Sequence, residues 1–200
     1  MIYSESVFEL ALQSNEAAFD LKLSDKTVAQ LGEYYSLLTR WNDRLHLVAP
    51  CSPAKFAVRH VLESLMLLHH LPQHARVADV GSGGGLPIIP CLIARPDLEA
   101  TLIESSPKKA VFLREASKQL KATIIARPFE DVPAQAVSFV TCRALDQFMK
   151  KLPALIEWAP GKLLLFGGEM MAEELGKHGV KFEQLLIPLS EKRYLFVTTD

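Results

Sequence analysis

The chain has 200 residues, 49% hydrophobic and 22% charged, which is enough to bury one sizeable core and far from the polar composition that keeps chains disordered. Its net charge of −1 gives no general attraction to nucleic acid, so any RNA or DNA contact needs a local basic face. No apolar run reaches the roughly 18 residues of a membrane-crossing helix, and the first residues lack the basic start of an export signal, which predicts a soluble cytoplasmic protein.

From Ser24 to Trp41 the apolar residues Val28, Leu31, Tyr34, Tyr35, Leu38 and Trp41 recur at three- and four-residue steps. That spacing predicts an amphipathic helix, with Ser24 and Asp25 at its N-cap. A second such run extends from Pro53 to His70, so residues 1–71 read as a helical extension. From residue 72 the pattern changes to short apolar runs, RVADV, ATLIE, ATIIA, AVSFVT, KLLLF, FEQLLI and YLFVT, separated by helical stretches near 87–95, 107–120, 146–157 and 169–178. This alternation predicts a mostly parallel α/β sheet over residues 72–200. The PLSEKR link between the last two runs is too short for a helical crossover, so those strands should pair as an antiparallel hairpin. Cys51, Cys91 and Cys142 are odd in number and widely spaced, and His69-His70 lacks a partner, so no metal site is expected.

The segment Asp79-Val80-Gly81-Ser82-Gly83-Gly84-Gly85-Leu86-Pro87 joins the first strand to a helix. Glycines there let the backbone turn sharply and let a ligand lie against exposed amides at the strand's carboxyl end, the ligand crevice of an open α/β sheet. Glu104, closing the second strand, can accept both ribose hydroxyls of an adenosine. NAD enzymes use a similar turn, but here Leu86 replaces the last glycine of G-x-G-x-x-G, and Asp79 occupies a position that dinucleotide sites keep apolar. Both features favour S-adenosylmethionine, a cationic ligand without phosphate.

The blocks LTRWN (38–42), VRHVLES (58–64), DVGSGGGLPIIP, IARPDLEATLIES, KKAVFLRE and VTCRAL (140–145), in this order, resemble the glucose-inhibited division protein B family, also called RsmG. Its members are bacterial methyltransferases that modify N7 of a guanine in small-subunit ribosomal RNA. The resemblance implies a Rossmann-like, seven-stranded class I methyltransferase sheet with an N-terminal helical cap. It also implies S-adenosylmethionine as cofactor, and small-subunit ribosomal RNA or an assembling small subunit as partner. Asp79, two residues before the first glycine, could hold the cationic amino acid directly or through water. Carried onto this chain, the resemblance implies that Gly81, Gly83 and Leu86 contact the cofactor. Glu104 holds the ribose, the stretch Arg127 to Glu130 with Phe129 closes over the adenine, and Arg143 lies at the site. The chain departs from the pattern at Phe166-Gly167-Gly168, where relatives often carry a lysine, and at His46, Val48 and Ile88.

Arg143 and His60 are the candidates for positioning substrate, and Arg59, His60, Lys108, Lys109 and Arg114 are candidates for RNA contact. The bland alternatives are a surface ion pair for Arg143, a partly buried helix histidine for His60 and a solvated helix face for the lysines. Trp41 could stack a base, though its helical spacing equally suits the core. Guanine N7 needs no deprotonation, so the lack of an evident catalytic triad is uninformative. A methyltransferase for a small molecule or protein, and a non-catalytic RNA-binding assembly factor that retains the fold, are the rival readings.

Overall fold

The computed structural model describes residues 2–199. Helix α1 (Ile2–Asn15) and helix α2 (Asp25–Leu45) precede a continuous helical segment, α3, residues 53–69. The Ser24 hydroxyl accepts from the Thr27 amide at 3.2 Å to start α2, and His46 in the left-handed region ends it. The predicted apolar stripe is buried through Val28, Leu31, Tyr34, Tyr35 and Leu38. Ser52 caps α3, and Pro53 opens it, where a missing amide costs nothing. The periodicity predicts a regular α-helix here, but the segment widens to a π-helix over Ala57–Leu62 and tightens to 3-10 over Met66–His69. The wide turn contains Arg59 and His60 and runs directly into Glu63, and such turns are frequent at functional sites.

Seven strands follow: β1 (Arg76–Val80), β2 (Glu99–Ile103), β3 (Ala122–Ile125), β4 (Phe139–Arg143), β5 (Lys162–Gly167), β6 (Phe182–Leu186) and β7 (Tyr194–Thr198). They lie in the order β3-β2-β1-β4-β5-β7-β6, with β1 to β5 parallel and β7 inserted antiparallel between β5 and β6. Helices α4 (Ile88–Ala94), α5 (Pro107–Ala116), α6 (Phe148–Trp158) and α7 (Glu169–Lys177) make the crossovers. Each strand and crossover falls where the sequence pattern puts it. Helix α5 stops at Ala116 rather than 120, where the Ser117 hydroxyl bonds back to the Leu113 carbonyl at 2.7 Å.

Successive residues of a strand face opposite sides, and the core divides accordingly. Val77, Leu102, Leu164 and Leu195 pack against α1–α5, whereas Ala78, Val80, Ile103, Val140 and Leu165 pack against α6 and α7. The helical extension therefore shares one core with the sheet. By the same alternation Asp79, Thr141, Arg143 and Phe166 face the side covered by the N-terminal helices. Among the described residues no helix is long and apolar enough to cross a membrane, and no group of His, Cys, Asp and Glu could hold a metal ion.

Candidate functional site

The sheet order reverses between β1 and β4, and the crevice this leaves at the strands' carboxyl ends holds the glycine loop. Gly81 and Gly83 have φ of +72° and +51°, backbone that residues with a Cβ rarely adopt. The amides of Gly81 and Ser82 both reach the Ile103 carbonyl, at 2.8 and 3.2 Å, which binds the loop to the end of β2. Glu104 then becomes the hinge of the site. One carboxylate oxygen accepts from the Gly83 amide at 2.8 Å and the other from the Ser106 amide at 2.8 Å. Ser106 in turn caps α5. From the opposite side the Tyr34 hydroxyl donates to the Gly84 carbonyl at 2.5 Å, so α2 pins the loop to the helical layer.

Above this loop lies a cavity of about 500 Å³. It is lined by Gly81, Gly83, Leu86, Glu104, Lys109, Arg143 and His60, together with Leu47, Leu145 and Ser106. Seven candidate residues from sequence thus meet in one place. Asp79 does not line the cavity; it is completely buried beneath the loop. Phe129 and Glu130 are not brought to it either. Phe129 is buried edge-on against Trp158, with ring centroids 5.9 Å apart, and Glu130 pairs with Lys151 at 3.0 Å, so both are committed to α6. Lys108 and Arg114 are exposed on α5 away from the cavity wall. Trp41, half-buried, packs edge-on against Phe112 at the margin of the core.

A second cavity, of about 670 Å³, adjoins the first along His60, Arg143 and Ala144. Its walls are Phe148, Met149, Phe166, Met170 and Met171 on the apolar side, with Arg59, Arg193 and Lys192 on the basic side. Between the two cavities sits a buried ionic cluster. Glu63, 1% exposed, pairs with Arg143 at 3.1 Å and with Arg193 at 2.6 Å. Arg143 also donates to the Arg59 carbonyl at 2.6 Å and lies over the Phe166 ring, 5.3 Å from its centroid. Its register explains this: Arg143 pairs with Phe166 across β4 and β5, so both emerge on the same face. The surface ion pair considered for Arg143 is instead a buried one joining β4 to α3.

The electrostatics follow burial. Desolvation, with the surrounding Arg143 and Arg59 charges, pulls His60 down to about 4, so the imidazole is neutral at neutral pH. Desolvation also pushes the Asp79 carboxyl up to about 7, and the Glu104 charge adds to the rise. Neither Asp79 oxygen has a hydrogen-bond partner among the described residues, and the buried Thr141 hydroxyl at the same register of β4 has none either. An acid buried without a hydrogen-bond partner is costly to ionise, which is why its carboxyl holds a proton so readily.

Sequence reasoning passed over Glu63, Arg193 and Tyr34 as site residues. Glu63 carried a signal, being a lone acid amid Val61, Leu62, Leu65 and Leu67 on a helix, where only a buried partner makes it tolerable. Arg193 carried none, because it arrives from a hairpin link 130 residues away. Lys192 and Arg193 of that link line the same cavity as Gly167 and Gly168, where the sequence itself carries no cation.

A sequence model of the family described as "rRNA small subunit methyltransferase G" matches residues 27–191. Proteins named ribosomal RNA small subunit methyltransferase G are similar to the chain. That of Sorangium cellulosum is 35% identical over 80% of this chain and 72% of its own length, and that of Xanthomonas euvesicatoria is 39% identical over 82% and 72%. In fold, the chain resembles the magnesium protoporphyrin IX methyltransferase of Synechocystis with bound SAM (TM-score 0.59, 17% identity, 90% of this chain and 99% of that one). It also resembles a SAM-dependent methyltransferase from Aquifex aeolicus (TM-score 0.58, 13% identity, 82% and 96%).

Proposed function

The chain belongs to the rRNA small subunit methyltransferase G family and is an S-adenosylmethionine-dependent methyltransferase; from that premise we propose that it methylates N7 of a guanine in small-subunit ribosomal RNA. The observation that carries the proposal is the pair of adjoining cavities sharing Arg143 and His60. One is framed by a glycine loop and a fixed carboxylate, the other by apolar side chains and three basic residues.

The residues present fit the cofactor. Glu104 would hold the ribose hydroxyls, while Gly81, Gly83 and Leu86 would lie against the amino-acid portion. Asp79 would favour its positive charge through the field of the loop rather than by contact. S-adenosylmethionine supplies, when bound, an electrophilic methyl group on a sulfonium. Guanine N7 carries an exposed lone pair, so the chain needs no general base. Its task is alignment, which can remove roughly 7–11 kcal/mol of barrier in favourable cases. Arg143, immobilised by Glu63 and Phe166, would orient the base at the wall between the cavities. His60, neutral and tilted against Phe56, fills that wall without adding a charge beside the cationic cofactor.

In this reading residues 1–71 form a helical cap that supplies one wall of the substrate side, and residues 72–200 form the cofactor-binding transferase unit. Arg59 with Lys192 and Arg193 gives the local basic face that a chain of net charge −1 needs to engage RNA, and Lys109 extends it to the first cavity. That basic rim supports a polyanion over the small-molecule alternative. Ribosomal RNA or an assembling small subunit, both cytoplasmic, would be the partner. The test is calorimetric titration with S-adenosylmethionine, S-adenosylhomocysteine and NADH, followed by methyl transfer to small subunits from cells lacking the modification. Binding of the first two and a 7-methylguanine product is the expected result; binding without transfer to the RNA would overturn the substrate assignment.

A further inference from the structure

The second cavity has a polar wall whose donors are arranged by a single side chain. Glu63 receives Arg193 Nε and Nη2 on one carboxylate oxygen, at 3.1 and 2.6 Å, and Arg143 Nη2 on the other, at 3.1 Å. A guanidinium has five N–H groups, and no acceptor among the described residues is bonded to Arg193 Nη1. Arg143 keeps its Nε–H similarly free. One carboxylate against two guanidiniums leaves one positive charge within the cluster, in a cavity whose other walls are Phe148, Phe166 and methionines, with Arg59, Lys192 and Glu169 also lining it.

That combination suits a flat aromatic ligand with an acceptor on its edge. Guanine presents O6 next to N7, and guanidinium donors pair with O6; adenine presents an amino donor at the same place, so donor would face donor. A contact to O6 alone leaves the N7 lone pair available on the adjoining edge, toward the wall shared with the first cavity. The aromatic and methionine side chains offer a stacking surface to the base. Resting on the function proposed above, we propose that Glu63 is a positioning residue that clamps Arg143 and Arg193 into one wall of the second cavity, whose remaining N–H groups read the 6-oxo edge of the purine.

The experiment is saturation-transfer NMR on the full chain loaded with S-adenosylhomocysteine, offered GMP, IMP and AMP at equal concentration. GMP and IMP, which share the 6-oxo group, are expected to saturate at least about fivefold more than AMP. Arg193→Met should bring GMP and AMP within about twofold of each other while S-adenosylhomocysteine affinity stays within about twofold of wild type, because Arg193 does not line the first cavity. Glu63→Asp, which keeps the charge, should retain the preference, and Glu63→Gln should lose it. Should the glutamine variant fail to fold, the Arg193 variant decides alone. Equal saturation by GMP and AMP, no nucleotide saturation, or an undiminished preference in Arg193→Met overturns the inference. If wild type shows no preference yet methylates guanine N7 in small subunits, this inference falls and the proposed function stands. If S-adenosylhomocysteine itself does not bind, both fall.

Discussion

Glu63 on α3 and Arg143 at the end of β4 are 80 residues apart in the chain and 3.1 Å apart in space, and their ion pair joins the helical layer to the sheet beside the site. Removing one partner of a buried pair leaves the other charge uncompensated. Glu63→Ala, which orphans two arginines, should therefore cost roughly 3–5 kcal/mol in urea denaturation. Arg143→Ala leaves Glu63 paired with Arg193 and should cost less, about 1–3 kcal/mol, while abolishing methyl transfer. Equal stability of the Glu63 variant and wild type would contradict the clamp.

Glu104 is the residue whose loss should fall most on the cofactor. Both oxygens already accept backbone amides, so the carboxylate is held in place before any ligand arrives. Glu104→Ala is expected to weaken S-adenosylhomocysteine binding at least about tenfold, since hydrogen bonds to charged groups contribute about 1.5–3 kcal/mol. Calorimetry on the folded variant checks this. Gly81→Val is a poor probe of cofactor binding. A Cβ there meets Leu145 and the residue sits at φ +72°, so the variant strains the fold whether or not it blocks a ligand.

His60 gives a pH dependence with a definite sign. Its folded pKa is lowered from 6.5 to about 4, so between those values the unfolded chain binds more protons than the native one. The neutral native imidazole loses ground as pH falls from 6.5 toward 4. Relative to His60→Asn, wild type should lose up to roughly 3 kcal/mol across that window, and proton NMR should find the imidazole neutral at pH 6. A His60 titrating at its ordinary value would remove the argument that the wall stays uncharged.

Asp79 has the opposite sign. Its folded pKa is raised from 3.8 to about 7, so the native state holds a proton that the unfolded state releases. The protonated form's advantage is complete below pH 3.8 and is lost as pH rises through 7. Wild type should therefore lose stability relative to Asp79→Asn between pH 4 and 8 in matched urea titrations. Binding of a cationic ligand favours the ionised acid, so S-adenosylmethionine affinity should rise over the same range in wild type and stay flat in the variant. A flat profile in both would detach Asp79 from the cofactor.

Much of the fold was legible in the sequence because its signals are local. Short apolar runs, the Ser24 cap and the PLSEKR link each depend on neighbouring residues alone. The π turn in α3 was not legible, since the spacing of its apolar residues is that of an ordinary helix. In the site, the glycine loop and Glu104 are contiguous with strand ends and could be read directly. The side chains of Phe129 and Glu130 were not legible, because position after β3 fixes the loop whereas Trp158 and Lys151 of α6 decide where its side chains go. Arg193 was invisible for the same reason that it matters: only the placement of β7 between β5 and β6 carries the hairpin link to Glu63.

The most direct test of the account is methyl transfer to unmodified small ribosomal subunits, with labelled S-adenosylmethionine and mass spectrometry of the digested RNA. The account predicts a single 7-methylguanine, absent with Arg143→Ala. Label appearing on another nucleoside, on protein, or not at all while the cofactor binds would contradict it.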